Sequence, residues 1–151
     1  MAALLFTTLG AQAAALAADC AAQLRSALAA TARERAVLQA LPVQGAGGEM
    51  RLVFAPRLQP LRTGRHFALD IQLCAPAYGP LPGPLRVDAD MPAHRHGMNY
   101  RATLRAMGGG RFEAEGLMFH MPGRWRFVFE LDRGPGSTPR VARWEFETEV
   151  E

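Results

Sequence analysis

Histidine and methionine side chains are concentrated in one part of this sequence. Three of the four histidines, and five of the six methionines that follow residue 1, lie between Met91 and Met121. They form two strings, Met91-Pro-Ala-His94-Arg-His96-Gly-Met98 and Met118-Phe-His120-Met121. Imidazole nitrogen and thioether sulfur suit copper, and Cu(I) above all, far better than Mg²⁺ or Ca²⁺, which prefer oxygen ligands. The two strings therefore predict a copper site as the first hypothesis.

The part of the chain that must position these side chains has the pattern of short strands separated by turns. Apolar and polar residues alternate in segments bounded by Gly and Pro, as in half-buried strands. The predicted strands are Met50–Phe54, His66–Cys74, Pro84–Asp90, Tyr100–Met107, Arg111–Phe119, Arg124–Leu131 and Val141–Thr148. Seven strands without a βαβ alternation predict an all-β fold, a seven-stranded antiparallel immunoglobulin-like β-sandwich with one N-terminal α-helix.

The Gly108-Gly-Gly110 run between two of these strands predicts a hairpin with a definable register. With Gly109 at the tip, the ladder pairs Met107 with Arg111, Thr103 with Glu115 and, further out, Met98 with His120. A bulge in the three-glycine loop, which would shift this register by one or two residues, is the alternative. Both strings of candidate ligands then lie at the open end of one hairpin. Nearby Pro and Gly residues interrupt the strands, so the ligands are expected at strand ends that a metal ion can reach.

The period of two residues along a strand selects the ligand set. In an extended backbone His94, His96 and Met98 point to the same side. The predicted copper ligands, for Cu(I) or Cu(II), are His94, His96, Met98, His120 and Met121.

Other residues of the same types are assigned structural roles. Met107 and Met118 are interpreted as core residues more readily than as ligands, because a strand methionine most often fills the core; for both, the ligand role stays open. His66 is interpreted as structural and Trp125 as part of the core or its rim. Gly123 is expected to supply the positive φ of a type II turn.

The first eighteen residues carry no charge and are rich in Ala and Leu. They end in small residues, which predicts a signal peptide over residues 1–18. A buried Ala-rich first helix is the alternative. Residues 19–45 are predicted to form a helix, from Cys20 to Leu41, and a linker, and residues 46–151 the sandwich domain. The mature protein is expected to be soluble and periplasmic.

The chain contains two cysteines, Cys20 and Cys74. In an oxidising compartment such a pair usually forms a disulfide, which would tie the N-terminal helix to the sandwich. The alternative is that one thiolate joins the metal site.

Composition excludes several classes of function. A chain of 151 residues corresponds to one domain, and its hydrophobic content of 49% suits a globular core. All 17 basic residues are Arg, so neither a P-loop lysine nor a Schiff-base lysine is present. The arginines are scattered and the net charge is only +3, so nucleic acid is not a predicted partner. The sequence contains no Gly-x-Ser-x-Gly, His-Glu-x-x-His or Cys-x-x-Cys motif, and no enzyme is predicted.

Three segments, residues 91–98, 109–116 and 119–125, resemble the YtkA-like and FixH-like periplasmic domains. The shared pattern is Met-Pro and His-Gly-Met after a strand, a Gly-rich turn with an aromatic residue, and Met-x-Gly-x-Trp before the next strand. The resemblance extends over about residues 50–133. It implies an immunoglobulin-like sandwich, export and, for many members, copper handling or cytochrome oxidase assembly.

Two functions from different classes follow as hypotheses. The first is an exported copper-binding protein that handles or delivers copper, with a membrane or periplasmic protein as a further partner. The second is an immunoglobulin-like interaction module without metal, which docks on a periplasmic or membrane complex. The first predicts that the His and Met side chains converge in space, and the second that they are scattered or buried. Neither hypothesis determines the oligomeric state.

Overall fold

The computed structural model describes residues 19–29, 39–42, 50–74, 83–137 and 140–151. The predicted signal peptide, residues 1–18, lies outside the described residues, and so does the rest of the predicted linker after β1. Within the described ranges, no helix is both long enough and apolar enough to cross a membrane.

In the described part of the chain, nine strands form two antiparallel sheets. The strands are β1 (Gln39–Pro42), β2 (Arg51–Pro56), β3 (His66–Cys74), β4 (Leu85–Met91), β5 (His96–Gly97), β6 (Thr103–Gly108), β7 (Arg111–Met118), β8 (Gly123–Asp132) and β9 (Val141–Val150). One sheet has the order β1-β2-β3-β7-β6 and the other has the order β5-β4-β8-β9. The predicted all-β sandwich is confirmed, and each of the seven predicted strands is present.

The strand order is that of an immunoglobulin-like sandwich. The run β2-β3-β7-β6 corresponds to strands A-B-E-D of that fold, and β4-β8-β9 corresponds to C-F-G. Two strands were not predicted: β1 extends the first sheet beside β2, and β5 extends the second beside β4. β5 has only two residues, yet one of them, His96, is a predicted ligand.

In the described part of the chain, residues 19–29 form helix α1, within the segment where the sequence predicted a helix. The prediction that this helix continues to Leu41 is wrong, because Gln39–Pro42 is strand β1. Gln39 lies opposite Phe54 in an antiparallel ladder with β2. Helix propensity is a weak preference, and pairing with the edge of β2 outweighs it.

The core between the sheets is rich in aromatic rings. From β3 it receives Phe67, Leu69, Ile71 and Leu73, as the alternation predicted. From β8 it receives Trp125, Phe127 and Phe129. Phe54 of β2 meets Phe127 edge to face across the sandwich, with ring centroids 5.5 Å apart, which is a favourable aromatic geometry. These contacts hold the two sheets together and so determine where the loops at each end can meet.

A disulfide joins Cys20 of α1 to Cys74 at the end of β3, with Cα atoms 5.8 Å apart. Leu24 and Leu28 of α1 pack beside it on the outer side of β2, against Val53. The predicted disulfide is confirmed. A thiolate ligand is therefore excluded, because neither cysteine is free.

The β6–β7 hairpin follows the predicted register in part. Thr103 lies opposite Glu115, as predicted. Gly108, and not Met107, lies opposite Arg111, because the register shifts just before the turn. The three turn glycines have φ values of 84°, 59° and 76°, in the left-handed region that glycine adopts without steric cost. The three-glycine turn therefore carries the bulge that the sequence left open as the alternative register.

Candidate metal centre

A tight turn between β4 and β5 positions two of the predicted ligands. Met91 at the end of β4 lies directly opposite His96 at the start of β5. The backbone N–H groups of His94 and Arg95 both donate to the carbonyl of Met91, at 3.0 and 2.9 Å. Arg95 closes the turn with a φ of 56°, in a region that few non-glycine residues adopt. His94 therefore lies on the turn, and His96 lies at the edge of the four-stranded sheet.

Two details of the predicted arrangement are wrong. His94 does not share an extended face with His96 and Met98, because residues 92–95 form the turn. Met98 does not continue the β6–β7 ladder opposite His120, because its N–H donates to a carbonyl of β4 at 3.0 Å. The free edge of β4 pairs with this segment and draws it into the other sheet.

His120 comes from the five-stranded sheet, in the loop between β7 and β8. The preceding residue, Phe119, is fully buried in the core. Its carbonyl accepts the N–H of Gly64 at 2.8 Å, which joins this loop to the loop between β2 and β3. The two sheets therefore each supply histidines to the same end of the sandwich.

The three predicted histidine ligands form a continuous cluster at this end. The ring centroids of His96 and His120 are 4.9 Å apart, and those of His94 and His96 are 5.8 Å apart. His94 is exposed to solvent, whereas His96 and His120 are partly buried. The convergence that the copper hypothesis requires is present for the imidazoles, although it arises between two sheets and not within one hairpin.

Trp125 forms the inner wall of the cluster, a role that the sequence did not indicate. Its side chain is fully buried, and its ring centroid lies 5.7 Å from that of His96 and 5.4 Å from that of His120. Its Nε1–H donates to the carbonyl of Met121 at 3.0 Å, which holds the indole in place. The signal in the sequence that could have indicated this role is that Trp125 follows Met121 by only four residues. The sequence analysis assigned Trp125 only to the core or its rim.

One ring nitrogen of the cluster is buried without a partner. Nδ1 of His120 makes no hydrogen bond with any described residue. An unsatisfied buried polar atom costs about 1–3 kcal/mol, and such atoms are uncommon in native structures. Nδ1 of His96 instead lies 3.3 Å from the carbonyl of Gly97. In the tautomer that donates this hydrogen bond, Nε2 of His96 carries no proton and is able to act as a ligand.

Three methionines are neighbours of these histidines in the chain or in the sheet. Met98 and Met121 are partly buried and pack against the core. Met91, which was not a predicted ligand, is buried opposite His96, and its methyl group fills the space beside Gly123. A Cβ at Gly123 would come within 2.8 Å of that methyl carbon. The φ of Gly123 is 118°, so the positive φ expected from its turn is present.

The remaining candidate methionines lie away from the cluster. Met107 is 41% exposed on β6, near the opposite end of the sandwich, so its interpretation as a core residue is wrong. Because β6 is an edge strand, the side chain of Met107 has no part of the other sheet packed over it. Met118 is partly buried and lies opposite the exposed His66 in the β3–β7 ladder. The ring of His66 contacts Tyr100, with centroids 5.3 Å apart, and not the other histidines.

Carboxylates do not complete the cluster. Within the described ranges, no group of three or more His, Cys, Asp or Glu side chains could hold one metal ion. Asp90, which neighbours β5, is bound by both Nε and Nη2 of Arg126, at 2.9 and 2.7 Å. This hydrogen-bonded carboxylate raises the pKa of Arg126 above its usual value. In this arrangement His94 does not complete a site with His96 and His120, so a third metal donor would be a thioether or a group from another molecule.

The sequence matches no protein-family model, and no curated protein or solved structure is significantly similar to it. The resemblance to YtkA-like and FixH-like domains stays a prediction carried by the motif residues. The immunoglobulin-like strand order stands independently, on the pairing of the strands themselves.

Proposed function

We propose that this protein binds copper as a cargo through His96 and His120, and that it handles or delivers copper outside the cytoplasm. The observation that carries the proposal is the buried, unpartnered Nδ1 of His120 next to the ring of His96. A metal ion is the ligand that two adjacent imidazoles would bind, and coordination through Nδ1 would offset the cost of burying that atom.

The surrounding donors favour copper over the hard cations. Met98 and Met121 follow the two histidines by two residues and one residue, and thioether sulfur selects soft ions. Asp90 is held by Arg126, and in the described part of the chain no group of three His, Cys, Asp or Glu side chains would offer Mg²⁺ or Ca²⁺ the oxygen ligands that they prefer. A pair of imidazoles with thioethers nearby suits Cu(I), which accepts fewer ligands than Zn²⁺.

The exposure of the cluster supports delivery over permanent storage. Trp125 closes the inner side, while His94 lies exposed on its turn at the outer side. An ion held at such a surface would be accessible to ligands of a second protein.

The disulfide between Cys20 and Cys74 is compatible with an oxidising compartment. With the predicted signal peptide over residues 1–18, it supports a periplasmic location and membership of the YtkA-like or FixH-like group. The alternative, an interaction module without metal, predicted scattered or buried His and Met side chains. The clustering of three imidazoles at one end favours the copper protein.

A competition titration with a chromophoric Cu(I) chelator tests the proposal. The chain is expected to bind one Cu(I), and the double variant His96→Phe/His120→Phe is expected to lose at least about 100-fold in affinity, more than the loss typical of outer-shell residues. The matched control is His66→Phe, which removes a histidine at the same end and should bind as the wild type does. No binding by the wild type, or undiminished binding by the double variant, would refute the proposal.

The thioethers are tested by the double variant Met98→Leu/Met121→Leu. It should weaken Cu(I) binding more than Cu(II) binding, whereas loss of the imidazoles should weaken Cu(II) binding more, because sulfur prefers the softer ion. Equal losses of both ions in both variants would show that the two methionines only pack against the core.

A further inference from the structure

We propose that the end of the sandwich around the histidines docks on an acidic surface of a partner protein that exchanges copper with this chain. The inference rests on the proposed function, and it adds that the protein which receives or supplies the copper has an acidic surface. The surface, called here the basic rim, consists of the exposed side chains of Arg65, Arg95, Tyr100 and Arg101, at the same end of the sandwich as His94.

The basic rim arises from an uneven distribution of charge along the chain. The loops at this end, residues 57–65, 92–102 and 119–122, contain five arginines and no acidic residue. The end of β9 adds Glu149 and Glu151 beside them, and these pair with Arg124 and Arg62. The excess positive charge of this end therefore comes from the arginines of the loops that have no such partner.

Three of these arginines have no ion pair with a described residue. Arg57, Arg105, Arg124 and Arg126 each have a carboxylate partner on a sheet face, and Arg62 has one in Glu151. Arg65, Arg95 and Arg101 are exposed, and none of them pairs with a carboxylate in the described part of the chain. Their charge is directed at solvent or at a partner, and it does not stabilise the fold through an ion pair.

One member of the basic rim adjoins the cluster, and the others lie at the same end of the sandwich. Arg95 lies between His94 and His96 on the turn. The ring contact between His66 and Tyr100 brings the neighbours of those residues, Arg65 and Arg101, to one side of the same end. Arg101 also lines a groove of about 620 Å³ along β4, but Asp88 and Glu130 line this groove too, so it is not part of the proposed docking surface.

The composition of the basic rim fits a protein partner. Arg and Tyr are enriched in protein interfaces, and Tyr100 is among the few large apolar side chains that are exposed in the described chain, at 42%. Anionic membranes are instead recognised by clusters of about four to eight basic residues. A second copy of this chain would present the same positive charge, and like charges would repel. An acidic protein surface that carries soft donors is the complementary partner.

A nuclear magnetic resonance titration of the copper-free chain tests docking separately from copper binding. The probe is the synthetic peptide acetyl-Glu-Asp-Met-Glu-Asp-Met-Glu-Asp-amide, and its control has Gln and Asn in place of Glu and Asp. At low salt, the acidic peptide should shift backbone amide signals of residues 64–66 and 93–101. The variant Arg65→Gln/Arg95→Gln/Arg101→Gln should weaken binding about tenfold or more. The matched control, Arg25→Gln/Arg111→Gln/Arg140→Gln, removes three arginines at the opposite end and should bind normally.

Other outcomes overturn the inference. Equal shifts with the neutral peptide, shifts spread over the whole surface, or undiminished binding by the first triple variant would show that the basic rim does not select acidic partners. If vesicles of phosphatidylglycerol and phosphatidylcholine perturb these residues and the acidic peptide does not, the surface faces a membrane. With Cu(I) loaded, transfer to the acidic peptide should be about tenfold faster than to the neutral one at low salt, and this advantage should vanish at high salt.

Discussion

The outer side of the five-stranded sheet and the histidine end of the sandwich both gather polar side chains, but they do so in opposite ways. On the sheet, Asp70 and Glu113 lie opposite each other on β3 and β7, and both are buried. Arg57 forms an ion pair with each of them at 2.7 Å. At the histidine end, the buried Nδ1 of His120 has no partner among the described residues.

On the proposed function, this difference separates a structural region from a metal-binding one. A buried ion network with its partners in place supports the fold, and removing one member leaves another charge unpaired. An unsatisfied buried nitrogen does not stabilise the fold, and coordination of a metal ion by Nδ1 of His120 would offset the cost of burying it. Substitutions on the sheet side should therefore change stability and not copper binding, and substitutions at the histidine end should do the reverse.

The largest effect is expected for the disulfide on the structural side. The double variant Cys20→Ser/Cys74→Ser opens a loop with a sequence separation of 54 residues. In the chain-entropy model this lowers the free energy of unfolding by about 4 kcal/mol. Urea denaturation measures the loss, and reduced wild type serves as the control. A loss below about 1 kcal/mol, or a simultaneous loss of copper affinity in the folded variant, would break the comparison.

The sequence anticipated this side of the molecule well. Alternation in β3 predicted its buried face, and the export signal with two cysteines predicted the disulfide. The first inference needs only the local periodicity of one strand, and the second needs only the pairing of the two cysteines in the chain. The ion network around Glu113 was missed, because alternating acidic residues on a strand have the same pattern as a solvated face.

A smaller loss of stability is expected for Glu113→Gln. A hydrogen bond from Arg105 and the charge of Arg57 hold the pKa of Glu113 below its usual value. Its contribution is therefore present at neutral pH and is lost as the pH falls through the lowered pKa, below the unfolded value of about 4.3. The variant should lose about 2 kcal/mol at pH 7, and the difference from wild type should shrink in acid.

Urea denaturation at several pH values provides the test. The control is Glu115→Gln, since Glu115 is 59% exposed and lies 3.5 Å from Arg57. An exposed pair of this kind contributes less than about 1 kcal/mol. Equal effects of the two variants, or a loss for Glu113→Gln that does not depend on pH, would show that the network is not the structural element described.

The histidine end could be predicted only in outline from the sequence. His94, His96 and His120 were expected at one end, and they are there. The predicted way in which they meet, within one hairpin, was wrong. His96 lies in the two-residue strand β5, which forms because it pairs with the free edge of β4, and no periodicity in the sequence indicates such a short strand. The role of Trp125 depends on packing between two sheets, which a local pattern does not contain.

The smallest effect is expected for His120→Phe, which keeps an aromatic ring beside Trp125 and removes the unpartnered nitrogen. Stability should stay the same or rise by up to about 1 kcal/mol, while copper affinity falls. His66→Phe, at an exposed position, should change neither property. If His120→Phe instead lost more than about 1 kcal/mol of stability, His120 would belong with the structural residues and the comparison would fail.

Anomalous diffraction at the copper absorption edge, from crystals of the Cu(I)-loaded chain, tests the central claim most directly. The account predicts one strong peak within about 2 Å of a ring nitrogen of both His96 and His120, with Nδ1 as the coordinating atom of His120. A peak at His66 or elsewhere on the surface, or no peak in a chain saturated with copper, would contradict it.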